Sequence, residues 1–137
     1  MTRFVIDPPT CLALIQHRTP LSAGHQLVAP AVLRSDILTL LYSEVRAGHL
    51  SAIEGRHELD QFAEMKIRLL GDRVSRATAW AIARDLDWPD PRPAEYLAVA
   101  QLQADVLVTH DTQLVNGAAG ITPIAGWDAL TRLAARL

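Results

Sequence analysis

The run Asp105-Val106-Leu107-Val108-Thr109-His110-Asp111 is the strongest strand signal in the chain. Apolar and β-branched residues fill its centre, it is too short for a buried helix, and it stops at a carboxylate. Arg3-Phe4-Val5-Ile6-Asp7 repeats that pattern near the amino terminus, closed first by the aspartate and then by Pro8-Pro9. Neither run alternates polar with apolar residues, which is the pattern of strands buried on both faces of a parallel sheet.

Helical segments and weaker strand signals fill the sequence between and beyond these two runs. A short helix is predicted over Thr10 to Gln16, broken by Thr19-Pro20 and Ser22-Ala23-Gly24, and then a brief strand over Gln26 to Ala29. The next helix has Pro30 in its first turn, Leu33, Ile37, Leu40 and Leu41 along one face, and Gly48 at its end. Ser51-Ala52-Ile53-Glu54 is a capping box that opens a helix reaching Met65. Ile67 to Leu70 is a further strand candidate, followed by a helix from Arg73 to Asp87. Prolines stiffen the connector over 88–93 ahead of a helix from Ala94 to Gln103. After the last strong strand, Asn116 to Gly120 reads as a loop, Ile121 to Ile124 as an edge strand and Trp127 to Leu137 as a closing helix. The alternation predicts an α/β fold of three layers, α/β/α, around a mostly parallel central sheet, with one domain over residues 1–137.

Half of the 137 residues are hydrophobic and 20% are charged, which excludes intrinsic disorder. Thirteen basic and fifteen acidic side chains leave a net charge of -2, which argues against a protein that coats nucleic acid through bulk charge. Cys11 is the only cysteine, so neither a disulfide framework nor a cysteine-based zinc site is available, and the five histidines include no His-x-x-x-His pair. The apolar runs are too short and too often interrupted by charge to span a bilayer, and charge and proline arrive within the first nine residues. The expectation is a cytoplasmic protein with no membrane association.

Four carboxylates carry the chemical argument. Asp7 and Asp111 each end a strand, and parallel sheets bind ligands in the crevice beyond the carboxyl ends of their strands. Neighbouring strands would aim both side chains into one cleft, although an aspartate in that place also serves simply to cap a turn. Asp36 falls among Leu33, Ile37 and Leu40, which puts a carboxylate on an apolar helix stripe. That is costly unless the group is paired, with Arg34 for instance, or bound to a cation. Glu95 occupies the first turn of its helix, a place the helix dipole favours for acids on its own account. Carboxylates gathered in one cleft repel one another, and Mg²⁺ or Mn²⁺, hard ions held by carboxylate oxygens and water, relieves the repulsion. An ion there activates a bound water and offsets charge on a phosphodiester oxygen. The chemistry indicated is metal-assisted hydrolysis of a phosphate ester.

Phe4-Val5-Ile6-Asp7, the acid-bearing helix between Pro30 and Gly48, Glu95-Tyr96-Leu97-Ala98-Val99-Ala100 and Leu107-Val108-Thr109-His110-Asp111 together resemble the PIN domain, and within it the VapC-type ribonuclease toxins of bacterial toxin-antitoxin pairs. The likeness runs from Arg3 to about Trp127, and its most specific part is the tyrosine-alanine helix followed by a strand ending Thr-x-Asp. It implies a small α/β/α fold, a Mg²⁺- or Mn²⁺-dependent endoribonuclease, an RNA substrate, a homodimer and a cognate antitoxin that blocks the cleft. Asp7 matches the first acid of the family and Asp111 the last, and the resemblance makes these two the metal ligands. Asp36 matches a position that is usually glutamate. Where the family usually has aspartate three residues before the tyrosine, this chain has Pro93. Glu95 is the candidate to replace that acid, with Asp90 behind it. Pro93 also supports a rival reading, a catalytically weak or inactive PIN-like module that dimerises and binds an antitoxin-like protein or RNA. A haloacid-dehalogenase phosphatase also begins with a strand-terminal aspartate, but its second acid is missing from Asp7-Pro8-Pro9-Thr10.

Other features have plainer readings. Thr109 is positioned to hydrogen-bond an acid and is also an ordinary β-branched strand residue. Trp80, Trp88 and Trp127 read first as core or dimer-contact residues and second as base-stacking platforms. Lys66, Arg68, Arg73 and Arg76 form the densest basic stretch, a solvated face or an RNA-phosphate contact.

Overall fold

The structure, a computed structural model, describes residues 2–17 and 25–130. Five strands, β1 (Thr2–Ile6), β2 (His25–Pro30), β3 (Ile67–Leu70), β4 (Val106–Val108) and β5 (Ile124–Ala125), form one sheet in the order β3-β2-β1-β4-β5, with every pairing parallel. Six helices connect them among the described residues: α1 (Pro8–His17), α2 (Leu33–Arg46), α3 (Ala52–Glu64), α4 (Arg73–Asp85), α5 (Arg92–Gln103) and α6 (Thr112–Gly117). Residues 127–130 begin a further helix. None of the helices among the described residues is long and apolar enough to cross a membrane.

The strand order dictates the layers. From β1 the chain steps outward to β2 and β3, then returns past β1 to lay down β4 and β5 on the other side. Parallel crossovers are right-handed, so reversing the direction of travel moves the connecting helices to the opposite face. Accordingly α1 packs with α2 and α3, while α4 packs on α5 and α5 spans β2, β1 and β4. The core sits where these faces meet the sheet: Val5, Ile6, Val28, Leu107 and Val108 are fully buried on the central strands, and Leu33 and Ile37 on α2. α5 buries nearly its whole circumference, and its alanines at 94, 98 and 100 let the backbone approach the sheet closely.

The predicted elements correspond to observed ones, with shifts that have local causes. Pro8 and Pro9 open α1 as well as closing β1, since a first-turn residue needs no amide hydrogen. Pro30 is the last residue of β2, paired with Leu70, and does not belong to α2. Only one donor is lost there, because the next amide, Ala31 N–H, donates to the Leu70 carbonyl at 2.8 Å. The capping box at Ser51 and Glu54 is present in both directions. Arg92 and Pro93 belong to α5, two residues earlier than predicted. Asn116 and Gly117 are helical, because Asp111 caps an α6 that hydropathy patterning did not show. Gly117 is required by packing: a Cβ there would stand 2.6 Å from the Trp88 ring. The edge strand is β5, displaced toward the carboxyl end of the predicted range. The breaks at Thr19-Pro20 and Ser22 to Gly24, and the closing helix beyond residue 130, lie outside the described residues.

Cys11 is buried on α1 with its Sγ 3.9 Å from the Met65 Sδ. Burial, and then the Asp7 charge nearby, pushes its thiol from 9.0 up to about 12. The folded thiol should therefore resist alkylation at mildly alkaline pH and react once the chain is unfolded. The neutral thiol's contribution to stability is intact below pH 9.0, where both states are protonated. It falls as pH rises from there toward about 12, because the unfolded thiol ionises first. Denaturant midpoints of wild type and Cys11→Ala measured across that window should converge or cross as pH rises; parallel curves would contradict the shift.

Candidate functional site

β1 and β4 are neighbours in register, with Ile6 opposite Val108. The direction of the chain switches between them, which is the place where an open parallel sheet leaves a crevice at its carboxyl edge. Asp7 is the first residue past β1, and Asp111 follows β4 by three residues. Both line one cleft of about 390 Å³, and Asp36, from the first turn of α2, lines it as well. Three of the four predicted site residues therefore meet.

Each carboxylate has a defined anchor. Asp7 is 1% exposed. Its Oδ1 accepts the Thr10 amide at 3.0 Å, the bond of a helix N-cap, and its Oδ2 accepts the Thr109 hydroxyl at 2.5 Å. Thr10 in turn donates its hydroxyl to the Val108 carbonyl at 3.2 Å, which ties the start of α1 to the end of β4. The Thr109 oxygen also accepts the Asp111 amide at 3.0 Å, so one threonine joins the two aspartates. Asp111 is exposed and caps α6 through Oδ1, accepting from Leu114 N–H at 3.0 Å. The two aspartates are thus helix caps and cleft residues at once. Asp36 is half-buried and accepts the Tyr96 hydroxyl on Oδ2 at 2.7 Å. Burial first, and then that hydrogen bond, pushes the Tyr96 phenol far above its ordinary range, so it remains a donor.

Glu95 is placed elsewhere. It lines a neighbouring cavity with Arg76 and Trp80, while Arg92, Pro93 and Tyr96 line the cleft. The reason is helix phase: two residues along a helix turn the side chain by about 200°, so an acid at 95 faces away from a cleft that 93 faces. Burial, the largest influence, raises the Glu95 carboxyl above its ordinary range, and Arg76 acts in the opposite sense. Asp90 does line the cleft, but Arg92 covers it with a guanidinium bond at 2.9 Å and its own amide at 3.0 Å. Those bonds hold the Asp90 carboxyl below its ordinary range. Residue reading picked out Thr109 as a partner for an acid, and passed over Thr10, Tyr96 and Arg92. An N-cap spacing from Asp7 to Thr10 was the available signal for the first. For Arg92 the signal was Asp90 two residues before it, and nothing local marks Tyr96, whose partner Asp36 is 60 residues away.

Among the described residues no three His, Cys, Asp or Glu side chains stand close enough to enclose a metal ion. The donor chemistry fits a hard cation nonetheless. Mg²⁺ is commonly held by one or two carboxylates with water and substrate oxygens completing its shell. Oδ2 of Asp111 and Oδ1 of Asp36 have no hydrogen bond within the described residues, so both are available as ligands.

Geometry and topology together define an α/β protein with a five-stranded, all-parallel sheet between helical layers. The solved structures that share this fold include PAE2754 from Pyrobaculum aerophilum, at a TM-score of 0.78 and 19% identity, over 99% of this chain and 97% of that one. VapBC2 from Rickettsia felis, bound to a DNA fragment from their promoter, matches at a TM-score of 0.67 and 10% identity, over 92% of this chain and 99% of that one. Likeness at these identities speaks for the fold alone. No family model matches the chain, and no curated protein matches it.

Thr109→Val removes the donor to a fully buried carboxylate and leaves the side-chain volume nearly unchanged. It should cost about 1–3 kcal/mol in urea unfolding, whereas Thr109→Ser, which keeps the hydroxyl, should cost clearly less. Equal losses would mean that packing, not the bond to Asp7, sets the role of this residue.

Proposed function

We propose that the chain is a Mg²⁺- or Mn²⁺-dependent endoribonuclease, the toxin component of a toxin-antitoxin pair, that hydrolyses RNA phosphodiester bonds. The observation that carries this reading is the convergence of Asp7, Asp36 and Asp111 on one cleft at the switch point of the sheet. Asp7 and Asp111 would hold the ion, and Asp36 would complete the acidic wall. When bound, the ion supplies an activated water and offsets charge developing on the phosphodiester. The chain's own part is positioning. Thr10 and Thr109 hold Asp7 in one orientation with neutral donors, which leaves its negative charge in place. Tyr96 holds Asp36 in the same way. Arg92, on the cleft wall, bonds Asp90 directly and forms no ion-pair contact with Asp7, Asp36 or Asp111 among the described residues, although its charge acts on Asp36 across the cleft. The fold shared with a VapBC2 complex supports a protein antitoxin as partner. Leu38 and Tyr42 on α2 and Ile53 on α3 are exposed, and they offer apolar surface to a partner chain or to the second protomer of a homodimer.

One observation favours a second reading. Pro93 faces the cleft without a carboxylate, and Asp90 is already neutralised, so the acid set is one short of the family pattern. A PIN-like module that binds RNA or an antitoxin and cuts slowly or not at all has that appearance.

RNA incubated with the full chain and Mg²⁺ or Mn²⁺ should be cleaved, and Asp7→Asn and Asp111→Asn should each lower the rate at least about 100-fold. Cleavage that survives both substitutions would remove this cleft from the chemistry. Calorimetric titration with Mn²⁺ separates the two readings: binding that disappears in Asp111→Asn supports the hydrolase, and no binding by wild type supports the module.

A further inference from the structure

A second cavity, of about 440 Å³, opens where Ala31 follows β2 and Gly71 follows β3. Its walls bring together three side chains that the acidic cleft does not use, Arg76 and Trp80 from α4 and Glu95 from α5. Trp80 is 71% exposed, on a helix whose buried face is already supplied by Ala79, Ile82 and Ala83. The indole therefore adds nothing to the core, which removes the core half of the expectation for that residue. Glu95 is half-buried and makes no hydrogen bond or ion pair within the described residues. The two cavities adjoin. Pro91 lines this one, Arg92 and Pro93 line the cleft, and the Glu95 charge is felt by Asp36 and Asp90 across the boundary.

We infer that this cavity is a nucleobase subsite, in which an unpaired RNA base stacks on Trp80, donates its amino edge to Glu95 and leaves its phosphate to Arg76. The assignment rests on the ribonuclease reading of the adjoining cleft. A single-stranded base is read by stacking on an aromatic face and by hydrogen bonds along its Watson-Crick edge. An exposed indole beside a carboxylate in want of donors supplies both. Guanine fits best, because its ring N–H and 2-amino group present two adjacent donors to the two oxygens of one carboxylate. Uracil fits worst, because its single N–H lies between two carbonyl oxygens that face the same carboxylate. Burial keeps Glu95 above its ordinary protonation range, and bonding to those donors would relieve it. The basic residue nearest the base, Arg76, is the right class to meet the phosphate. An apolar protein surface would instead have to bury Arg76 and Glu95 without donors or acceptors of its own.

The test uses the full chain, short unstructured RNAs that differ in one central base, fluorescence anisotropy, and EDTA to prevent cleavage. Wild type should bind the guanine-bearing strand several-fold more tightly than its uracil counterpart. Trp80→Ala should weaken binding of both by about tenfold. Glu95→Gln should erase the guanine preference and keep the stacking contribution. Failure of wild type to bind, or variants that bind as wild type does, overturns the subsite. So does a Trp80→Ala variant that changes only the sedimentation of the protein, which would assign this face to a second copy. The two readings fail separately. A chain that binds in this manner yet leaves RNA intact with Mg²⁺ retains the subsite and loses the hydrolase. One that cleaves RNA with Trp80 and Glu95 dispensable for binding does the reverse.

Discussion

The pairing of β1 with β4 is the constraint on which the site depends. These strands are far apart in sequence and adjacent in space, and they are held in a register that sets Ile6 beside Val108. A parallel register fixes which residues emerge together at the carboxyl edge. The next residue on one side is Asp7 and on the other Thr109, and the hydroxyl of the second bonds the carboxylate of the first. A slip by one residue would reverse every side chain of β4 between the two faces of the sheet. Leu107 and Val108 are both fully buried, so neither face has room for such a slip. Burial on both faces of a short strand thereby secures the position of the Thr109 hydroxyl, two residues before Asp111.

Once that register holds, the electrostatics follow from which donors reach which acid. Asp7 is fully buried and its two oxygens receive an amide and a hydroxyl, both neutral. One hydrogen bond to each oxygen anchors the carboxylate without cancelling its charge and leaves lone pairs for a cation. Asp36 is treated alike by Tyr96. Asp90 is treated differently: Arg92 is two residues away and forms a charge-assisted bond to it. The same cleft thus contains acids held in reserve and one acid already spent, and the difference lies in the partner rather than in the carboxylate.

Much of this was legible in the residues, and the parts that were not have a common cause. β1 and β4 declare themselves because fully buried strands must be continuously apolar, and Asp7 and Asp111 were visible as their punctuation. Asp36 was visible as a charge out of place on an apolar stripe. The helix α3 announced its start through Ser51 and Glu54, whose reciprocal bonds are local. The misread boundaries involve residues whose role is decided by a distant neighbour. Pro30 is compatible with a helix start or a strand end, and only β3 alongside it makes it a strand residue. Gly117 resembles loop sequence, yet it is glycine because the Trp88 ring lies over α6. Tyr96 was noted as part of a motif and not as the donor to Asp36, since 60 residues separate them.

Glu95 shows where local and global information part. The run Ala94-Glu95-Tyr96 kept it as a candidate for the acid absent at Pro93 although its spacing sets it about 200° from that position, and only a rotation of α5 by more than half a turn would have brought it into the cleft. α5 has no freedom to rotate. It is pressed between the sheet and α4, with Ala94, Leu97, Ala98, Val99 and Ala100 all buried, and any change of phase would expose several of them while forcing Glu95 into the apolar layer. Tyr96 locks the phase further by reaching Asp36 from its own turn. The packing of α5 therefore decides the chemistry at its first turn: the face carrying Arg92, Pro93 and Tyr96 must look onto the acidic cleft, and Glu95 must look onto Arg76 and Trp80. A carboxylate in that second setting, beside an arginine and an indole, is equipped to read a ligand rather than to hold a metal.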